Sequence, residues 1–244
     1  MRTIPVIFNP SARSTKGKQA EEEIQQLSPS VKLLESYSFE QAKALAAEAA
    51  ARGHETVVAA GGDGTVNAVI AGLVGTESRL GVLPTGTMNL FARELGLPKG
   101  NLAACWEVIE NGVAKGVDLF EAGDGIFVQI AGVGFDAQII EETTWESKKK
   151  FGPLSYLLSA FSVAGQDAPR LRVFAEGHEP LGGAFVLIGN GALYGPAFKV
   201  FRNASNDDGM LEVLVFENQS HIDLFRYLSG MAIGKVENMK DVTY

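Results

Sequence analysis

Residues 57–73 read VVAAGGDGTVNAVIAGL, an apolar strand running into three glycines within four positions and then into an apolar helix. Gly61, Gly62 and Gly64 carry no Cβ, so the backbone there can take unusual φ values and admit another group closely. Successive amides in such a turn converge on one point. The helix behind them adds its positive end, and together they make an anion site suited to phosphate. Thr65 stands where it can cap that helix. Asp63 is out of place beside a phosphate unless a cation or a ribose hydroxyl lies between them. Asn67 occupies the position of the third glycine in a dinucleotide fingerprint, and no G-x-x-x-x-G-K-[ST] run occurs, so neither common phosphate loop is present.

A second run, LGVLPTGTMNLFARELGLP at 80–98, repeats this order of strand, turn and helix. Loops that follow neighbouring strands of a parallel sheet meet at its carboxyl edge, where ligands bind. Thr87 and Asn89 are therefore expected to face the Gly61–Gly64 loop. Gly132 to Ala137 fits G-x-G-x-x-A, a weak signal, because no acidic residue ends a second strand about 20 positions on. Asn206-Asp207-Asp208-Gly209 reads as a tight turn rich in oxygen ligands. It is either a plain turn between strands or a Mg²⁺ site.

These residues must be positioned by a chain of 244 residues, 46% apolar, with a formal charge of -8. That is enough apolar material for packed cores, and an acidic balance argues against nucleic-acid backbone as a partner. The single cysteine, Cys105, rules out an internal disulfide, fits a cytoplasmic setting and reads as a buried thiol. No stretch reaches the roughly 20 apolar residues of a membrane span. A lipid substrate would have to be met at the membrane surface.

Strands are predicted at Ile4–Phe8, Val31–Leu34, Thr56–Ala60 and Leu80–Leu83. Helices alternate with them at Glu21–Leu27, about Glu40–Arg52, about Val66–Val74, Asn89–Leu95 and Leu102–Glu110. Ser11 to Lys18 reads as a loop. Ser36 or Ser38 caps the second helix and Gly53 ends it. Unbroken apolar strands alternating with helices imply a parallel sheet covered on both faces.

The pattern changes near Asp118. Short strands are predicted at Phe127–Ala131, Leu171–Ala175, Ala184–Ile188, Phe198–Phe201 and Leu211–Phe216, with helices at Pro153–Val163 and about Ile222–Ile233. This is a mostly antiparallel β region. Residues 1–118 are thus expected to form an α/β nucleotide-binding domain and residues 119–244 a β-rich lipid or substrate domain. Lys240 to Tyr244 looks like the opening of another strand.

GGDGTVNAVIAGL followed by LPTGTMNLFAR resembles the diacylglycerol kinase catalytic-domain family, which includes bacterial soluble lipid kinases and sphingosine kinases. Asn9-Pro10, Val117-Asp118-Leu119, IAGVGFDA at 130–137, FGPLSYLLSA at 151–160 and NASNDDGMLEVLV at 203–215 follow in family order. GGDGT is shared with NAD kinases, whereas PTGTMN and DDGML point more narrowly to lipid kinases.

The resemblance implies a phosphofructokinase- and NAD-kinase-like α/β domain and a β-rich domain, with the active site in the cleft between them. It implies that ATP is held by Gly61, Gly62, Asp63, Gly64, Thr65, Asn67, Thr87 and Asn89, with Ser36 matching a nucleotide-contacting threonine. Asp63 is the implied catalytic residue beside the metal-bound phosphates. Ser205, Asp208 and Met210 match a structural Mg²⁺ site, Ser205 and Met210 through backbone carbonyls. The implied partners are ATP and a lipid at the membrane surface, with peripheral contact made from the cytoplasm. A homodimer is left open. Lys148 to Lys150 could meet anionic head groups, and the Phe151–Phe161 helix could touch lipid, though core packing suits it better.

Two departures stand out. Ala68 replaces the family's usual glutamate, and no Asp-Gly-Glu, the family's general-base motif, occurs. The alternatives are an NAD-kinase-like small-molecule kinase or a catalytically silent nucleotide- or lipid-binding module. The expectation is a chain that stops short of its base-bearing segment, binds ATP and transfers slowly, since a general base contributes about 10²–10⁴-fold.

Overall fold

The computed structural model describes residues 3–10, 17–123, 125–134, 138, 162, 170–195 and 198–244. Residues 11–16 of the expected loop, the Phe135–Ala137 end of the second glycine run, Lys148–Lys150 and the Pro153–Val163 helix apart from Ser162 lie outside the described residues.

The chain divides into two compact units, one of residues 1–116 with 121–126 and one of residues 117–120 with 127–244. The first holds β1 (Ile4–Phe8), α1 (Gly17–Leu27), β2 (Val31–Glu35), α2 (Phe39–Ala51), β3 (Thr56–Gly61), α3 (Asp63–Leu73), β4 (Arg79–Pro84), α4 (Leu90–Glu94) and α5 (Leu102–Asn111). The four strands form one parallel sheet in the order β2-β1-β3-β4. Val6, Ile7 and Val57 to Ala60 are fully buried, as strands covered on both faces must be. On one face Val6, Phe8, Val58, Ala60 and Leu83 pack with Ile24 of α1 and with Leu102, Cys105 and Trp106 of α5. Cys105 is a buried free thiol, as its setting in the sequence predicts. On the other face α2 and α3 approach closely, since a Cβ at Gly72 would strike the Lys43 carbonyl.

Of the two caps the sequence offers for α2, Ser38 is the one used, its side chain accepting from the Gln41 amide at 3.1 Å. Three boundaries differ from the sequence reading. Gly17 and Lys18 belong to α1, not to a loop. Helix α3 starts at Asp63, with Gly62 at its N-cap, so Thr65 is not the cap but a buried residue of the first turn. Asn89 precedes α4 rather than belonging to it.

The second unit is antiparallel, as its turn-rich sequence predicts. β7 (Ile130–Gly134), β10 (Phe185–Gly189), β13 (Glu212–Phe216) and β14 (Val242–Thr243) form a sheet in the order β14-β13-β10-β7. The unit's remaining short strands are β8 (Leu171–Val173), β9 (Leu181–Gly183), β11 (Leu193–Tyr194) and β12 (Phe198–Lys199), while β5 (Phe120–Ala122) and β6 (Gly125–Phe127) lie within residues 121–126 of the first unit but for one flanking residue each in the second. The strand expected at Phe127–Ala131 is thus divided between β6 and β7, since Val128 and Gln129 are bent. Helix α6 (His221–Ala232) closes the core. Phe185 and Phe216 stack at 4.2 Å, and Tyr227 of α6 meets both edge-on.

The Lys240–Tyr244 segment does become a strand, β14, and a polar clamp secures its start. The Asp241 carboxylate accepts from Tyr227 Oη at 2.7 Å, Arg226 Nη2 at 2.8 Å and Asn218 Nδ2 at 3.2 Å. Burial pushes this carboxyl up, and the bonds from Arg226, Tyr227 and Asn218 outweigh that, holding it at about 2. A carboxyl held below its unfolded value contributes stability above the ordinary carboxylate range and loses it as pH falls toward the folded value. Asp241→Ala is therefore expected to destabilise the protein by about 1–3 kcal/mol near neutral pH. In denaturant melts, the gap from the parent protein should close between about pH 4 and pH 2.

Candidate nucleotide site

Strand β1 leads through α1 to β2 on one side of the sheet, while β3 lies on its other side, so the strand order reverses between β1 and β3. The crevice at such a reversal, at the carboxyl ends of the strands, is where open α/β sheets bind ligands. The loop after β3 is Gly61 to Gly64, and the loop after β4 is Thr85 to Asn89.

The two loops touch backbone to backbone. The Thr85 and Gly86 amides both donate to Gly61 O at 3.1 Å. A Cβ on Gly86 would collide with the Gly62 Cα and fall 2.9 Å from the Gly62 nitrogen, and one on Gly61 would collide with Thr65. Both glycines are thus demanded by close approach. Helix α3 has no side-chain cap, so the amides of its first turn stay available to an anion at the open end. Gly64 is exposed, with open space where a Cβ would be.

Asp63 joins the loops a second time. Its Oδ1 accepts from the Phe91 amide at 3.1 Å, so the carboxylate serves the start of α4. Burial pushes the Asp63 carboxyl above its ordinary value, opposed by the amides of Phe91, Leu90, Asp63 itself and Asn89. Asn89 holds its own turn. It adopts a left-handed backbone, φ 52° and ψ 49°, with Oδ1 accepting from the Gly86 amide at 2.9 Å and Nδ2 donating to Gly86 O at 3.0 Å. Asparagine tolerates this conformation better than most residues.

The other expected residues divide by environment. Thr87 is exposed at the loop tip. Asn67 donates from Nδ2 to Ile126 O at 3.1 Å, while its Oδ1 is buried without a partner, as is the Thr85 hydroxyl oxygen. Buried polar atoms without partners are costly, and two of them beside a glycine turn mark a place where a bound group would supply the missing bonds. Ser36, at the end of β2, is 1% exposed and donates from Oγ to Ser38 O at 3.0 Å. Thr85 did not stand out in the sequence. Its only signal was a hydroxyl directly before the glycine of the second loop.

In the second unit, the Ser205–Met210 turn is held by Asp118. The Asp118 amide donates to Asn206 O at 2.8 Å, and the Gly209 amide donates to Asp118 Oδ2 at 2.6 Å. Ser205 Oγ hydrogen-bonds Asp207, and Asp208 Oδ1 accepts from the Met210 amide at 2.9 Å. Among the described residues there is no cluster of three or more His, Cys, Asp or Glu able to hold a metal. A cation at this turn would rest on Asp208 and backbone carbonyls.

Residues 3–122 match the diacylglycerol kinase catalytic domain, and residues 129–244 match the YegS C-terminal NAD kinase beta sandwich-like domain. A diacylglycerol kinase of Mycobacterium tuberculosis is 31% identical over 210 residues, covering 83% of this chain and 68% of that one. The chain belongs to the diacylglycerol kinase catalytic-domain family. A diacylglycerol kinase of Bacillus subtilis is 30% identical over 209 residues, covering 82% of this chain and 67% of its own length. The chain therefore spans about two thirds of the length of these two relatives. A crystal structure of a diacylglycerol kinase from Bacillus anthracis superimposes with a TM-score of 0.75 at 26% identity, over 99% of this chain and 82% of that one. The family's GGDGT and PTGTMN motifs are thus the two loops that meet at Gly62 and Gly86 in this member.

Gly86→Ala tests that contact. The variant is expected to keep the far-ultraviolet circular dichroism of the parent. It should lose tenfold or more in nucleotide affinity by calorimetry, because the new methyl group parts the two loops.

Proposed function

We propose that this chain transfers the γ-phosphoryl group of ATP to the hydroxyl of a diacylglycerol-like lipid. The observation that carries the reading is the uncapped start of α3 braced against the Thr85–Asn89 loop at the strand-order reversal. Its relatives' names, diacylglycerol kinase among them, support a lipid acceptor. Among the described residues no helix is long and apolar enough to cross a membrane, which suits a substrate met at the membrane surface.

In this reading the amides of Gly62 and Gly64 hold the polyphosphate, and Thr87 closes over it from the exposed loop tip. Asn67 Oδ1 and the Thr85 hydroxyl, both without partners, take the remaining polar contacts. Phosphoryl transfer asks a protein chiefly to position groups and stabilise charge. Mg²⁺ bound with ATP would supply neutralisation of the phosphate charge. Asp63 is the carboxylate placed to favour a cation there, since a positive charge offsets the burial that raises its pKa. A second Mg²⁺, structural in role, fits the Ser205–Met210 turn. Asp208 would supply a carboxylate oxygen and Ser205 and Met210 carbonyl oxygens, a donor set that Mg²⁺ completes with water.

The test is transfer of label from γ-labelled ATP to total lipid extract, to separate lipid classes and to NAD. Labelled lipid is expected, and label on NAD alone would replace the proposal with a small-molecule kinase. Asp63→Asn keeps a carbonyl oxygen for the Phe91 amide but removes the charge, so transfer should be lost while the fold survives. A carboxyl raised above its unfolded value loses its stabilising contribution as pH rises through the folded value. Asp63→Asn is therefore expected to melt at or above the parent temperature at pH 7.

The metal turn has its own check. In crystals grown or soaked with Mg²⁺ or Ca²⁺, an ion should lie about 2.0–2.6 Å from an Asp208 carboxylate oxygen. Absence of density there at high cation concentration would remove Asp208 from the proposal.

A further inference from the structure

We propose that Tyr37 is the platform on which the base of the nucleotide stacks. The proposal rests on the reading of Gly61–Gly64 as the phosphate site and extends it to the other end of the ligand. Tyr37 is 63% exposed, an aromatic ring standing in solvent in the turn between β2 and α2. Ser36 before it is buried, so Tyr37 is the residue of this pair that a ligand can reach.

The ring is braced. Its hydroxyl hydrogen-bonds the Glu35 carboxylate, and its amide donates to Gln41 Oε1 at 2.9 Å. Gln41 Nε2 reaches back to Glu35 O at 3.4 Å, and the Gln41 amide is held by the Ser38 cap. The turn is therefore tied at both ends while one side chain projects from it. Phe39, 44% exposed, stands two residues on and extends the apolar surface.

The spacing suits a nucleotide. The Ser36 amide donates to Phe8 O at 2.8 Å, and the Asn9 amide donates to Ala60 O at 3.1 Å, so the ends of β2, β1 and β3 lie side by side. Two strand spacings, roughly 10 Å, separate the end of β2 from the Gly61–Gly64 turn. That is close to the reach from a purine ring across the ribose to the inner phosphates. A ring on Tyr37 would place the triphosphate over the start of α3 without bending the ligand away from the sheet edge.

Calorimetry with MgATP and with Mg-tripolyphosphate on the parent, Tyr37→Ala and Tyr37→Phe tests this. Base–aromatic stacking predicts that Tyr37→Ala weakens ATP binding about ten- to hundredfold and leaves tripolyphosphate binding unchanged. Tyr37→Phe, which keeps the ring, should bind ATP within about threefold of the parent. If Tyr37→Ala binds ATP as the parent does, and the parent prefers ATP to tripolyphosphate, the base lies elsewhere. The proposal then fails and the phosphate site stands. Equal loss of ATP and tripolyphosphate in Tyr37→Ala, or a loss in Tyr37→Phe as large as in Tyr37→Ala, also overturns stacking. A parent protein that binds neither ligand overturns the phosphate site and this proposal together.

Discussion

The approach of Gly62 to Gly86 is the constraint on which the first unit's site depends. Two loops from neighbouring parallel strands can share one ligand only if their backbones come within van der Waals distance. At that distance a Cβ on Gly86 would collide with the Gly62 Cα. The bonds from Thr85 and Gly86 to Gly61 O, and from Phe91 to Asp63, then hold the loops in one arrangement. Preorganised amides cost no reorganisation when charge arrives, which is what phosphoryl transfer asks of them. The price appears at Asp63, Asn67 and Thr85, where a raised carboxyl and two unpartnered oxygens remain beside the turn. Strain and unsatisfied groups of this sort gather where a ligand completes the structure.

Elsewhere polar groups carry out structural tasks. Asp241 takes bonds from three side chains and anchors β14 to α6. Asp118 uses backbone and side chain together to hold the Ser205–Met210 turn, and Asn190 adds a bond to the Asp118 carbonyl at 2.9 Å. Asp63 differs from Asp241 in the outcome, since burial raises its carboxyl despite the amides that oppose it, whereas the bonds to Asp241 prevail over burial.

Much of this was legible in the chain. The buried runs at Ile4–Phe8, Thr56–Gly61 and Arg79–Pro84 carry no polarity alternation, which only a doubly covered parallel sheet explains. The glycine spacing at 61–64 marked the turn from strand into helix, and at Gly61 a Cβ would strike Thr65. Boundaries were harder. Thr65 looks like a cap in sequence because threonine caps helices well. Gly62 is the N-cap instead, its extended backbone leading directly into Asp63, and Thr65 packs against Gly61. The break between β6 and β7 left no mark, because Val128 and Gln129 continue the apolar and polar rhythm across a bend.

The sequence by itself determined the two chemistries of the chain, an α/β unit with paired glycine loops and a turn-rich antiparallel unit. Both follow from local rules, periodicity and the backbone freedom of glycine, which need no knowledge of distant contacts. What only the tertiary structure decided is which side chains are free for a ligand. In the fold the Asn89 amide holds Gly86, and Ser36 is buried with its hydroxyl on Ser38. Tyr37, which carried no signal in its own segment, is left in solvent at the sheet edge. Hydrogen-bond partners and exposure depend on how strands far apart in the chain are brought side by side, so no local pattern records them.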